Sequence, residues 1–201
     1  MSLKPILFNT EMVKAELDGI KHCTRRVVKG YIPKDAKFGY TAFTPKGCIS
    51  CRGIFEDGYG EKFFKLPYQK GDILYIRETW SEWTGGYLYK AWTEPFPQPG
   101  LFPGIKWSPS IHMPRDAARI WLKVTDVRVE RLQDIDINGI RSEGLGSAAV
   151  HAGDMDIALK EWKILWNSTI DKSNIDTYGW EANPFVWVVE FERCERPESE
   201  K

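Results

Sequence analysis

Hydrophobic and polar positions change period several times along this chain, and each change marks an element. Residues 4–9, Lys-Pro-Ile-Leu-Phe-Asn, form a short apolar strand candidate. In the next segment Met12, Val13 and Leu17 share one helical face, with Thr10 placed as the N-terminal cap and Glu11 in the first turn. Gly19 follows as the glycine that lets the chain turn out of the helix. A strand is expected over Thr24–Gly30, then a short one from Lys37 to Phe43. Residues 51–66 read as a hairpin turning at Asp57-Gly58. From Asp72 the period is two again, with Ile73, Tyr75 and Arg77 on one face and Leu74, Ile76 and Glu78 on the other. A long strand is predicted from Ala118 to Leu132. Its phase breaks near Asp126, the mark of a β-bulge or bend. Residues 134–145 suggest a short helix ending at Gly144, and 154–166 a clear amphipathic helix through Met155, Ala158, Leu159, Trp162, Leu165 and Trp166. The last strand, Asn183–Cys194, alternates apolar residues on both faces and belongs in a core.

Between these elements, residues 81–117 are rich in Pro, Gly and aromatics and read as an irregular insertion. A loop of that length is usually functional or a lid, although Gly86–Trp92 could form a strand. No linker or repeat divides the chain, and strands outnumber helices without alternating with them. The predicted class is therefore α+β, one domain over residues 1–201, with a mixed or barrel-like sheet.

Composition narrows the function classes. With 28 basic and 28 acidic residues the formal net charge is zero, which argues against a non-specific coat on DNA but leaves room for a local basic groove. Aromatic residues make up 13% of the chain; most are expected in the core, and some could stack on planar ligands. No secretory signal is visible and no stretch approaches a membrane span, so a cytoplasmic location with reduced thiols is the default expectation. Cys48 and Cys51 have zinc-ligand spacing, but a second such pair is missing, so no metal or other cofactor is expected.

The densest chemistry lies in residues 18–26, Asp-Gly-Ile-Lys-His-Cys-Thr-Arg-Arg. One reading is a solvated helix end, where cations are favoured by about 0.3–1 kcal/mol through the helix dipole. The other is a site.

The spacing of Gly19, Lys21 and Arg26 resembles the G-x-K-x-x-x-x-R signature of ASCH domains, members of the PUA-like superfamily. Further segments resemble the same family: Gly71–Trp80, Ser110–Ile135, Ser142–Leu145 and Tyr178–Arg193. Together, from Lys4 to Arg193, they are similar to a group of phage and prophage ASCH-like proteins, which places the chain in a bacterial or phage-infected cell. The resemblance implies a curved β-barrel with flanking helices and a cleft that binds RNA or a modified nucleoside. One branch of the family hydrolyses the amide of N4-acetylcytidine. Its signature lysine, a threonine three residues on, and a glutamate after the long strand match Lys21, Thr24 and Glu143 here. Ile20 and His22 stand where that branch carries an arginine and a threonine, and this chain is about twice as long.

Two chemistries follow. For hydrolysis, Lys21 would take the proton of the Thr24 hydroxyl, with Arg25 and Arg26 lowering its basicity, and Glu143 would protonate the departing amine. For binding, Lys21, Arg25 and Arg26 would contact phosphates in a basic cleft and Trp80 or Trp107 would stack on a base. Arg77 and Glu78 would read base edges or pair with each other. His112, alone in its loop, reads as structural rather than as a base. A third class, an accessory protein acting through protein–protein contact, would show a flat exposed apolar patch.

Overall fold

Asn9, not Thr10, caps the first helix in the computed structural model, which describes residues 2–93 and 104–198. The Asn9 side chain accepts the Met12 N–H at 2.8 Å, so Thr10 becomes the first helical residue. In chain order the elements are β1 (Leu3–Leu7), α1 (Thr10–Leu17), β2 (Cys23–Val27), β3 (Lys37–Gly39), β4 (Cys48–Phe55) and β5 (Gly58–Lys65). Then come β6 (Ile73–Arg77), β7 (Trp80–Trp83), β8 (Gly86–Tyr89) and α2 (Lys90–Thr93). The rest are β9 (Trp121–Arg131), α3 (Ile137–Ser142), α4 (Ala148–Ala152), α5 (Met155–Ser168), α6 (Ile175–Tyr178) and β10 (Phe185–Cys194).

The chain is α+β. Its main sheet has the order β1-β6-β9-β10-β2, with β1 and β6 parallel and the other pairs antiparallel. β3-β4-β5 and β7-β8 form two smaller sheets, and among the described residues none closes into a barrel. The phase break near Asp126 is a bulge: Glu190 pairs with Asp126 and Phe191 with Val124, leaving Thr125 unpaired opposite β10.

Alternation gives the main sheet two apolar faces. Leu74, Ile76, Leu122, Val124 and Val189 pack with Phe8, Val13 of α1 and Ile49 of β4 on one side. Cys23, Val186 and Val188 pack against Ile140, Val150, Ala158, Trp162 and Trp166 of α3–α5 on the other. Each fully buried aliphatic side chain of this kind contributes about 1.5–3 kcal/mol. β2 is one edge strand of the sheet, and Met12 of α1 and Trp162 and Trp166 of α5 come together beside it.

The expected irregular insertion begins instead as a hairpin. β7 and β8 pair from Trp80↔Tyr89 to Trp83↔Gly86 and turn at Gly85, whose φ is +82°. Its strands are four residues each, too short to reveal their period amid the surrounding Pro and Gly. Residues 94–103 of that insertion, and the end of the tail at 199–201, lie outside the described residues. Cys48 and Cys51, three apart on β4, project from opposite faces of their sheet, which is why their zinc-like spacing does not make a chelating pair.

Candidate functional site

Two helix ends converge on Lys21. After α1, Gly19 takes a φ of +69° and the N–H groups of Ile20 and Lys21 both donate to the Ala15 carbonyl, at 2.9 and 3.1 Å. The His22 N–H then donates to the Ser142 carbonyl at the end of α3 (2.8 Å), and the His22 carbonyl accepts the Phe191 N–H from β10 (3.0 Å). α3 is capped by Asp136 and ends at Gly144, whose φ is +97°. A Cβ there would lie 2.8 Å from Ala15 Cβ and 3.3 Å from Lys21 Cβ. Only glycine lets the two helix ends meet so closely.

Lys21 is fully buried at this junction. Its Nζ donates to the Cys23 carbonyl (2.8 Å), the Glu143 carbonyl (2.7 Å) and Glu143 Oε2 (3.0 Å), and lies 5.3 Å from the Phe8 ring centroid. These three oxygens match the full donor complement of an ammonium. Arg25 completes the cluster: its Nη1 donates to Glu143 Oε1 (3.2 Å) and its Nη2 to Glu130 Oε2 (3.4 Å), while its Nε is buried without a hydrogen-bond partner among the described residues. Glu143 thus stands between two cations, with side-chain exposures of 0% for Lys21, 4% for Arg25 and 3% for Glu143 itself.

The cluster sets the ionisation of its neighbours. Burial pushes the Cys23 thiol up to about 12, aided by the Glu143 charge and opposed by Arg25 and Lys21. Glu16, buried on α1, is pushed up to about 7 by burial, against the pull of Arg193 and Lys21. Its Oε2 is buried with no hydrogen-bond partner among the described residues. Glu16 lies one helical turn from Met12 and Val13, inside the apolar stripe of α1. A carboxylate in that stripe was the sequence signal for it, masked because its neighbours satisfy the helical pattern.

Concavities flank the cluster on both sides of Arg25. Along the outer edge of β2 runs a narrow slot of about 40 Å³ lined by Met12, Thr24, Arg25, Arg26 and Glu143, and by Trp162 and Trp166 of α5. It shares Met12, Glu143 and Leu165 with a groove of about 410 Å³ beside α1. On the other flank, between α3 and the sheet, lies a cavity of about 520 Å³ that Arg25, His22 and Cys23 also line. Its remaining wall is polar: Arg128, Glu130, Asp134, Asp136, Asn138, Ser142 and Glu190, while Phe191 at its margin turns its ring to Phe8 in the main core.

The expected residues therefore separate into two groups. Lys21, Thr24, Arg25, Arg26 and Glu143 lie together around the edge of β2. The basic cleft expected there is absent in character. Lys21 and Arg25 are buried in ion pairs, Arg26 donates to the Leu7 carbonyl (2.9 Å), and in the large cavity four carboxylates face two arginines. Arg77, Glu78 and Trp80 form a different cluster. Arg77 ends β6 and Glu78 follows just beyond it, and the two take different partners rather than each other. Arg77 donates to the carbonyls of Ile111 and Met113, and buried Glu78 takes Arg119 bidentately at 2.9 and 3.0 Å. Trp80 packs with Met113, Ala117 and Trp121, its ring edge-on to Tyr87. These three side chains hold residues 108–120 against the sheet. Trp107 is half-buried and His112 exposed in the same region. Sequence reading assigned Trp162 and Trp166 to the core, which is correct, without showing that they also wall the slot.

No family model, curated protein or solved structure matches this chain. Among the described residues no helix is long and apolar enough to cross a membrane.

Proposed function

We propose that this chain binds RNA or a modified nucleoside, with one base held in the cavity between α3 and the sheet, on an ASCH-like, PUA-related scaffold whose sheet is left open. The observation that carries the reading is the cavity of about 520 Å³ with buried Arg25 in its wall. That volume falls in the range that holds small organic ligands, whereas the 40 Å³ slot is smaller than a base. The polar groups suit a base edge: carboxylates such as Asp134 and Asp136 accept from an exocyclic amine, and Asn138 can both donate and accept. Four carboxylates against two arginines disfavour a phosphate inside, so the base enters and the backbone stays at the mouth.

Hydrolysis of an N4-acylated cytosine is a second reading, favoured by one observation: Thr24 and Glu143 line the same slot. Against it stands Lys21, whose Nζ faces three oxygens; a neutral amine acting as base would turn its lone pair on one of them.

Calorimetric titration with cytidine, adenosine and N4-acetylcytidine tests both, with the N4-acetylcytidine sample also followed by chromatography. Saturable binding of an amine-bearing nucleoside, weakened about tenfold or more in Asn138→Leu and Asp134→Asn, is the expected result. Release of free cytidine, abolished in Thr24→Val, would establish hydrolysis instead. Absence of binding by any nucleoside would refute the cavity as a base site.

A further inference from the structure

The small sheet β3-β4-β5 has one face turned to the core and one turned to water, and the outer face has an unusual make-up. Inward, Ile49 and Phe64 join the main core, with Phe38 packed on Phe64 and Phe185. Outward, Ile54 lies directly opposite Tyr59 and Arg52 opposite Glu61; Phe63 lies opposite Ser50, which is itself covered. Tyr59 is 76% exposed, Ile54 61% and Phe63 43%. In the loop between β3 and β4, Phe43 is 84% and Tyr40 65% exposed. Large apolar side chains are rarely left in water in such a cluster without a partner.

Charge says which partner. Residues 29–70, which contain this sheet and its loops, carry eight Lys or Arg and four Asp or Glu, an excess of four positive charges in a chain whose net charge is zero. Lys37, Arg52 and Lys65 share the outer face with the exposed rings: Lys37 lies opposite Arg52, and Lys65 flanks Phe63 two residues along β5. Exposed rings interleaved with cations on a sheet fit bases stacked on a π-face with their phosphates paired to Lys and Arg. A protein partner would be met by apolar shape and would not call for the positive excess.

We propose that the outer face of β3-β4-β5 is a stacking platform for single-stranded nucleic acid, RNA in the function proposed above, on which this inference rests for the identity of the strand. β2 leads from the site into this module through Val28 and Gly30, and a Cβ at Gly30 would touch Phe64 on the inner face of β5, so the small sheet adjoins the strand that carries Thr24 and Arg26. Tyr59 and Phe63, four residues apart on one strand, lie about 13 Å from each other along β5, so they engage different nucleotides of the strand.

Fluorescence anisotropy with a labelled twelve-nucleotide RNA, and with DNA of the same sequence, tests the platform across a salt series. Tyr59→Ala and Phe63→Ala are surface changes, and circular dichroism verifies that each variant is folded. Each is expected to weaken strand binding about fivefold to one-hundred-fold. Lys65→Glu is expected to weaken it and to flatten the dependence on salt. None of the three should change nucleoside affinity in the cavity. RNA affinity within twofold of wild type in the Tyr59→Ala/Phe63→Ala double variant would overturn the platform, whatever the cavity does. Loss of strand binding in that variant, with no nucleoside bound by wild type, would keep the platform and refute the cavity. Tighter binding of DNA than RNA would keep the platform and reject RNA as its strand. Wild-type self-association that the double variant abolishes, with no effect on RNA, would assign the face to a second copy of the chain and overturn the proposal.

Discussion

Replacing Glu143 by glutamine keeps the shape of the side chain and removes the negative charge that bridges Lys21 and Arg25. The amide oxygen can still accept from one of the two cations, but the amide N–H₂ then faces the other, donor against donor. Among the described residues the other oxygens in the hydrogen-bond shell of Lys21 are the carbonyls of Cys23 and Glu143, and no second carboxylate joins them. Arg25 retains Glu130, which is 26% exposed and 3.4 Å away. Breaking a buried pair by removing one partner costs about 3–5 kcal/mol, a large part of the 5–15 kcal/mol typical of a domain. For a chain of this size that lowers the melting temperature by about 6–20 °C. Lys21→Met should cost less, because Glu143 keeps Arg25 at 3.2 Å. Urea unfolding followed by tryptophan fluorescence reads both values, since Trp162 and Trp166 are buried beside the cluster. A loss below about 1 kcal/mol in Glu143→Gln, or a greater loss in Lys21→Met, would refute the argument that these charges are buried together.

Other consequences are open to direct measurement. Glu16, pushed up to about 7, holds its proton in the folded chain and releases it in the unfolded chain near 4.5, so its burial lowers stability progressively as pH rises from about 4.5 to 7. Glu16→Gln should remove that slope, and urea midpoints that still fall equally over this range would contradict it. The Cys23 thiol, pushed up to about 12, should resist alkylation at pH 8 in the folded chain and react once unfolded; peptide mapping of the modified cysteines gives the answer. Gly144→Ala should destabilise the junction strongly, because it combines a positive φ with contacts of 2.8 and 3.3 Å to Ala15 and Lys21. Thermal unfolding within 1 °C of wild type would show that the two helix ends have room to separate.

Much of the fold was legible because period and punctuation agreed locally. The hairpin of β4 and β5, which turns at Glu56-Asp57 one residue before the expected Asp57-Gly58, the helix through Trp162 and Trp166, and the bulge beside Asp126 each follow from residues within one element or its immediate partner. What was not legible depends on tertiary placement. Asn9 takes the cap from Thr10 because its side chain reaches the Met12 N–H, a choice between two good capping residues that spacing alone does not decide. The hairpin at Trp80–Tyr89 is hidden by short strands in a Pro- and Gly-rich setting. Closure of the sheet into a barrel depends on how distant edges meet, and here β1 and β2 remain separate edges. In the site, the resemblance put Lys21, Thr24 and Glu143 together, and Lys21 and Glu143 do meet across 122 residues of sequence. Composition of the 18–26 stretch suggested an open basic groove because sequence does not show which carboxylates arrive from elsewhere. Glu143 and Glu130 neutralise Lys21 and Arg25, and that pairing turns an expected phosphate site into a buried junction.

The most direct test of the account is a crystal structure of the chain soaked with the nucleoside that binds tightest in the titration. The base is expected in the cavity between α3 and the sheet, its exocyclic amine on Asp134 or Asp136 and its ribose toward the mouth. A base lodged instead against Thr24 and Glu143 along the edge of β2, with the cavity empty, would contradict it.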